Sequence, residues 1–175
     1  MSELKTDKQL REGRLVFYQN DLDRIDRVLD EFVRLSGSKS VLLVDKEGHM
    51  ITRAGEPPGF HQDTISALVT GSFSATREMA RLLGEQEFSA LFHQGERDNI
   101  QLSIVGNRTI LTVIFDETTT LGMVRLYVHE AVEKLGGLFE QIEEERAKGG
   151  GPDQPVLEGH FGDSAKDMLD TFFDA

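Results

Sequence analysis

Five histidines, His49, His61, His93, His129 and His160, and a surplus of carboxylates are the groups with which this chain could hold a metal or move a proton. A zinc site draws His or Cys donors from short recurring intervals. The chain has no cysteine and its histidines are scattered without metal spacing, so surface or hydrogen-bonded imidazoles are the simpler reading. Lack of thiols also removes disulfides and thiol nucleophiles, and it fits a reducing compartment. Asp21, Asp23, Asp26 and Asp30 crowd one segment. Two carboxylates can work as acid and base, but solvation of a helix face is a simpler role for these four. Asp116-Glu117 could take a cation, and helix capping accounts for the pair equally well. Neither GxxxxGK[ST] nor GxGxxG occurs, so no glycine loop supports a nucleotide pocket. Arg97, within Gly95-Glu96-Arg97, is a single arginine that could meet a phosphate-bearing partner. No catalytic constellation emerges.

Composition narrows the classes further. At 175 residues with 38% apolar content, the chain has material for one core domain and for tails. A net charge of -12 and a pI near 4.8 argue against a general nucleic-acid binder, which needs a basic phosphate-facing surface. Acidity also opposes an anionic membrane. No run approaches the ~20 apolar residues of a spanning helix, and the opening MSELKTDKQLREGR lacks the apolar segment of a secretory signal. A soluble cytoplasmic protein is expected.

The elements that must position any site follow from periodicity. Residues 1–15 form a polar lead-in. From Asn20, Leu22, Ile25, Val28, Leu29, Phe32 and Leu35 recur at helical spacing, with Asn20 and Asp23 as the expected capping pair and Gly37 as the stop. Residues 40–45 and 49–53 read as two strands around a Lys46-Glu47-Gly48 turn. Pro57-Pro58 breaks the chain. Residues 63–83 read as a second helix with Ile65, Leu68, Ser72, Ala75, Met79 and Leu82 on its apolar face and Gly84 as C-cap. Ala67, Gly71, Ser74, Glu78 and Arg81 form a second stripe, mostly of small residues. A glycine inside a helix costs about 1 kcal/mol relative to alanine, so close approach by another backbone would give Gly71 a purpose. Burial against the chain's own sheet is the alternative. Residues 91–94 read as a third strand. The β-rich runs 100–105 and 110–115 are separated by Gly106-Asn107, which predicts a two-residue hairpin at the centre of the sheet. Thr118, Thr119 and Thr120 offer caps for a last helix carrying Leu121, Val124, Val128, Val132, Leu135, Phe139 and Ile142, a Glu130/Lys134 pair, and a weak point at Gly136-Gly137. The order is α-β-β-α-β-β-β-α. An α+β domain with a five-stranded antiparallel sheet flanked by helices satisfies the short hairpins and the long crossovers.

Residues 148–160 contain Gly149-Gly150-Gly151-Pro152, Pro155 and Gly159 and read as a flexible linker. Beyond it Phe161, Ala165, Met168, Leu169, Phe172 and Phe173 recur at helical intervals, mostly opposite Asp163, Asp167, Asp170 and Asp174. An amphipathic acidic helix this short is marginal alone. It either binds a partner groove or folds back on its own domain. The expected organisation is a lead-in over 1–15, a domain over 16–147, a linker over 148–160 and an acidic helix over 161–175.

Several stretches together resemble the Roadblock/LC7 family, and within it the bacterial MglB branch: LVFYQNDLDRI, VLLVDKEGHMITRAG, ALVTG with the helix after it, RLLGEQEFSALFHQGERDNI, LSIVG and VIFDETTTLGMVRL. The likeness spans roughly residues 15–145, followed by a similar linker and acidic apolar tail. The resemblance implies a homodimer, two subunits of which engage one Ras-like MglA-type small GTPase and stimulate its GTP hydrolysis, in control of cell polarity and gliding motility. GTP and Mg would be bound by the partner; the chain would have no cofactor of its own and would not be the enzyme. It implies further that the activator repositions the GTPase's own catalytic arginine and glutamine, so neither Arg77 nor Arg97 is taken as an inserted finger. The GTPase interface is placed on Ala67, Gly71, Ser74 and Glu78, and C-terminal docking on Met168, Leu169, Phe172 and Phe173. The second helix and the 91–94 strand would also pair the subunits. Further polarity proteins join the implied partners, a cell pole is the implied location, and nucleic acid and membrane insertion are not expected. Two readings stand beside this one: a Roadblock scaffold that binds without activating, and a small-ligand sensor, which would need a concave pocket.

Overall fold

A computed structural model describes residues 17–57 and 59–148. The elements in order are α1 (Gln19–Ser36), β1 (Ser40–Asp45), β2 (Met50–Gly55), α2 (Gln62–Leu82), β3 (Ala90–His93), β4 (Asn99–Val105), β5 (Thr109–Phe115) and α3 (Leu121–Ala147). The strands form one five-stranded antiparallel sheet, as expected, and their order is β2-β1-β5-β4-β3.

The apolar run of β5 explains its place. Every residue of it is buried, which only a strand flanked on both edges and both faces can achieve. Side chains alternate between the faces. Val41, Leu43, Leu111, Val113 and Phe115 pack beneath α1 and α3, with Ile25, Leu29, Val124, Val128, Leu135 and Ile142. On the other face Val69 and Phe73 of α2 lie with Leu102 and Ile110, and Leu42, Val44 and Ile114 form an adjoining cluster. The result is a sheet between a helix pair and a single helix.

Three local expectations are corrected. The β4–β5 connection has three residues, because Val105 pairs with Thr109. Only Gly106 takes positive φ, at 59°, and the Thr109 hydroxyl donates to the Val105 carbonyl at 2.7 Å, closing the loop. The first helix begins one residue before Asn20. Tyr18 is its N-cap residue, and the Tyr18 N–H donates to Asp21 Oδ2 at 3.0 Å. The entry is set by packing: Phe17 lies 5.5 Å from Phe139 and the Arg146 guanidinium sits 4.9 Å over the Tyr18 ring. Asn20 and Asp23 therefore fall inside the helix, where Asp23 accepts from Gln19 Nε2 at 3.0 Å.

The third correction concerns α2. Ile65 packs inward, but Leu68, Ala75, Met79 and Leu82 are exposed and Ser72 is half-buried. The buried side is Ser66, Val69, Phe73 and Ala80. The helix has two apolar stripes, and the one that carries Val69 and Phe73 faces the sheet.

Other signals hold. Gly37 caps α1 in the left-handed region, its N–H reaching Val33 O. Thr120 caps α3 by accepting from Met123 N at 3.2 Å. Lys134 bridges Glu130 and Glu31, both at 2.9 Å, tying α3 to α1.

Candidate functional site

Because α2 alone covers its face of the sheet, much of its circumference meets solvent. Leu68 is 63% exposed, Met79 51%, Leu82 81% and Leu83 72%. Leu68, Ala75, Met79 and Leu82 share one side at helical spacing, which makes a row of apolar side chains with no cover among the described residues. The stripe expected to contact a partner, Ala67, Gly71, Ser74 and Glu78, is also exposed along its whole length. At 100° per residue the two stripes lie about 80° apart. Both turn away from the buried side of Val69, Phe73 and Ala80.

The small stripe is held in place at three points. The β1–β2 turn presses on it, so that a Cβ at Gly48 would stand 3.3 Å from Ala67 Cα, and the Thr70 hydroxyl donates to Asp45 O at 3.2 Å. Ser74 lines a crevice with Lys46, Arg77 and Glu87. There Glu87 Oε1 lies 3.8 Å from Lys46 Nζ and 3.5 Å from Arg77, joining the turn, the helix and the loop before β3. Glu78 is engaged by Arg81 at 2.9 Å on the same helix. Gly71 has open space around its Cα, so nothing within the described residues demands a glycine there.

The end of α2 leads to β3, the last strand of the sheet. Ala90 and His93 are exposed and Leu91 and Phe92 half-buried. An outer strand with unpaired backbone groups is a pairing surface.

A cavity of about 720 Å³ has no wall from α2. It opens between the β3–β4 loop and the start of α3 and is lined by Lys39, Phe92, Arg97, Asp98, Asp116 and Thr119 among others. Much of its polar lining is already paired. Lys39 Nζ meets Asp98 Oδ1 at 3.0 Å, and that hydrogen bond pushes the lysine pKa up. The Thr118 hydroxyl and N–H donate to Asp116 Oδ1 at 2.6 and 2.9 Å, which hold this carboxyl below its ordinary range. Phe92 and Phe115 stack at 6.2 Å on one wall. Sequence reading singles out Arg97 and Asp116-Glu117 separately; that they border one cleft is visible only from the register of β3 and β5.

Met168, Leu169, Phe172 and Phe173, expected to dock on a partner, lie outside the described residues, as do residues 149–160. Among the described residues no helix is long and apolar enough to cross a membrane. Periodicity also misses the exposure of Leu68, Met79 and Leu82. The available signal is the competing stripe of Val69, Phe73 and Ala80, since one helix face cannot bury both.

Residues 24–115 match the family model described as Roadblock/LC7 domain. The structure of Myxococcus xanthus MglB is 38% identical with a TM-score of 0.68, over 73% of this chain and 96% of that one. The gliding protein MglB from Thermus thermophilus is 36% identical with a TM-score of 0.67 and the same coverage. An uncharacterized protein of Methanocaldococcus jannaschii is 29% identical over 116 residues, 66% of this chain and 99% of its own. This chain belongs to the Roadblock/LC7 domain family and is closely related to bacterial MglB.

Proposed function

We propose that this chain regulates a Ras-like small GTPase of the MglA type, and that as a homodimer it accelerates GTP hydrolysis on that partner. The observation that carries the reading is the exposed α2, with its apolar and small stripes side by side, next to the open β3 edge, in a chain 38% identical to MglB. Leu68, Met79, Leu82 and β3 pair two subunits. Ala67, Gly71, Ser74 and Glu78 then meet the GTPase, where small side chains let the partner's backbone come close. Two subunits engage one GTPase.

The chemistry stays in the partner, which holds GTP and Mg. Arg77 and Arg81 are tied to Glu87 and Glu78, which supports a role outside the phosphate site. The activator works by binding one conformation of the GTPase better than the other, and it can shift that equilibrium only by this difference in affinity. The favoured conformation is the one in which the GTPase's own arginine and glutamine face the γ-phosphate, whose transition-state charge they stabilise. Met168, Leu169, Phe172 and Phe173 supply a second contact, away from the nucleotide. In the cell this pair would act in the cytoplasm, concentrated at a pole, in control of polarity and motility with further polarity proteins.

Single-turnover GTP hydrolysis by the cognate GTPase, alone and with this chain, tests the reading. Acceleration that is lost in Ser74→Arg, with the dimer intact, is the expected result. Stoichiometric binding to the GTP-loaded partner without acceleration makes the chain a scaffold instead.

A further inference from the structure

The β1–β2 turn brings together three donors of different chemistry. Asp45, Glu47 and His49 alternate along Asp45-Lys46-Glu47-Gly48-His49, and one carboxylate or imidazole donor atom from each lies within 4.8 Å of the other two. The spacing in sequence, every second residue, does not resemble a helical or Cys-rich zinc motif. The turn makes it converge: Gly48 at φ 95° reverses the chain and returns His49 beside Asp45.

We propose that this turn binds a divalent transition-metal ion of the zinc type through Asp45 Oδ2, the Glu47 carboxylate and His49 Nδ1. Geometry carries the assignment. Asp45 Oδ2 and His49 Nδ1 are 3.3 Å apart. Two donors at about 2.0–2.1 Å from a tetrahedral ion stand roughly 3.3–3.4 Å from each other, so the ion replaces their hydrogen bond with little movement. The Glu47 carboxylate completes the set, within 4.8 Å of the other two donors.

The turn is organised before any ion arrives. Asp45 Oδ1 accepts from the N–H groups of Glu47 and His49 at 2.9 and 2.8 Å. That leaves Oδ2 to face the imidazole. Asp45 N–H donates to His49 O at 2.9 Å, and the Asp45 carbonyl is held by Thr70 of α2. Lys46, the one cation within the turn, is engaged by Glu87. It therefore sits against another carboxylate.

The donor set chooses the ion class. One imidazole and two carboxylates suit Zn²⁺ and its neighbours in the transition series, whereas Mg²⁺ and Ca²⁺ favour six or more oxygens. Three protein donors leave at least one coordination position for water or for a side chain of another molecule. Gly48 lies against Ala67, so that position opens beside the small stripe of α2. Binding of the ion is independent of whether that stripe meets a GTPase.

Isothermal titration of the full-length chain with Zn²⁺ tests the site, alongside His49→Ala, Glu47→Gln and a Mg²⁺ titration. The His49 side chain is 63% exposed, so its removal leaves the fold standing, and circular dichroism checks this. Wild type is expected to show a site that His49→Ala weakens by at least about ten-fold, that Glu47→Gln also weakens, and that Mg²⁺ does not fill. Cobalt substitution should give the visible absorption of a four-coordinate site with a nitrogen donor, absent in His49→Ala. Equal Zn²⁺ affinity in wild type and His49→Ala overturns the proposal, as does absence of binding in wild type.

Discussion

Arg146 closes one end of the helix pair. Its guanidinium donates to Asp21 Oδ2 at 3.0 Å while lying over the Tyr18 ring, and Asp21 is buried to 7% exposure. The same oxygen takes the Tyr18 N–H, so one carboxylate fixes both the start of α1 and the end of α3. Removing the arginine leaves a mostly buried charge with fewer donors, a costlier event than loss of a surface pair. Arg146→Ala should lower stability by about 1–3 kcal/mol in urea unfolding; an unchanged midpoint would make the contact incidental. Asp116 gives a prediction in pH. Hydrogen bonds from Thr118 lower its pKa below the ordinary 3.8. A carboxyl whose pKa is depressed in the folded state binds protons less readily there than when unfolded. Its contribution is therefore present above pH 3.8 and is lost as pH falls through the folded value. Asp116→Asn should consequently lose less melting temperature than wild type between pH 6 and pH 3, values chosen to bracket roughly the carboxylate range.

On the proposed reading, whole elements carry the association surface. Leu68, Met79 and Leu82 project from a helix whose other side already fills the sheet-facing layer, and each side chain buried against a second copy contributes about 1.5–3 kcal/mol. A charge placed in that row reverses the contribution without entering the core. Met79→Glu together with Leu82→Arg should leave circular dichroism unchanged and turn a dimer into a monomer in light scattering; a dimer that survives both would move the subunit contact elsewhere. In α3, Gly137 is exposed and a Cβ there meets nothing within 4 Å. Gly137→Ala should stabilise the chain by about 0.5–1 kcal/mol by removing backbone freedom from the unfolded state. The elements themselves are legible in the sequence because β1 and β5 are rich in apolar, β-branched residues and α1 and α3 have one dominant stripe. The orientation of α2 is not. Val69 and Phe73 compete with Leu68, Met79 and Leu82 on the same turns, and the choice depends on how much volume Leu102 and Ile110 leave above the sheet, a long-range quantity. The Lys46-Glu47-Gly48 turn is legible, but the convergence of Asp45, Glu47 and His49 across it is not. Its donors alternate as in a strand, and only the positive φ of Gly48 folds them together.

At the scale of the molecule, charge bears on what residues 149–175 do. α1 and α3 run antiparallel: Thr119, before α3, donates to Ser36 O at the end of α1, while Arg24 near its start reaches Glu145 at 3.2 Å. The chain therefore continues past Lys148 from the end where Glu140, Glu143, Glu144 and Glu145 are exposed. Asp163, Asp167, Asp170 and Asp174 follow in sequence. Like charges within a Debye length of about 8 Å repel at physiological salt, so this end of α3 is an unfavourable seat for the chain's own acidic segment, which supports the proposed docking on another protein. A chain cut after Gly149 retains Phe17, Asp21, Arg24, Phe139 and Arg146, the side chains that close this end. It should unfold within about 0.5 kcal/mol of the full-length protein and, on the proposed reading, still accelerate GTP hydrolysis, with weaker binding to the GTPase. A full-length chain more stable by well over 1 kcal/mol, with the excess growing as salt is added, would instead seat Met168, Leu169, Phe172 and Phe173 on their own domain, because screening would relieve the acidic repulsion and leave the apolar contact.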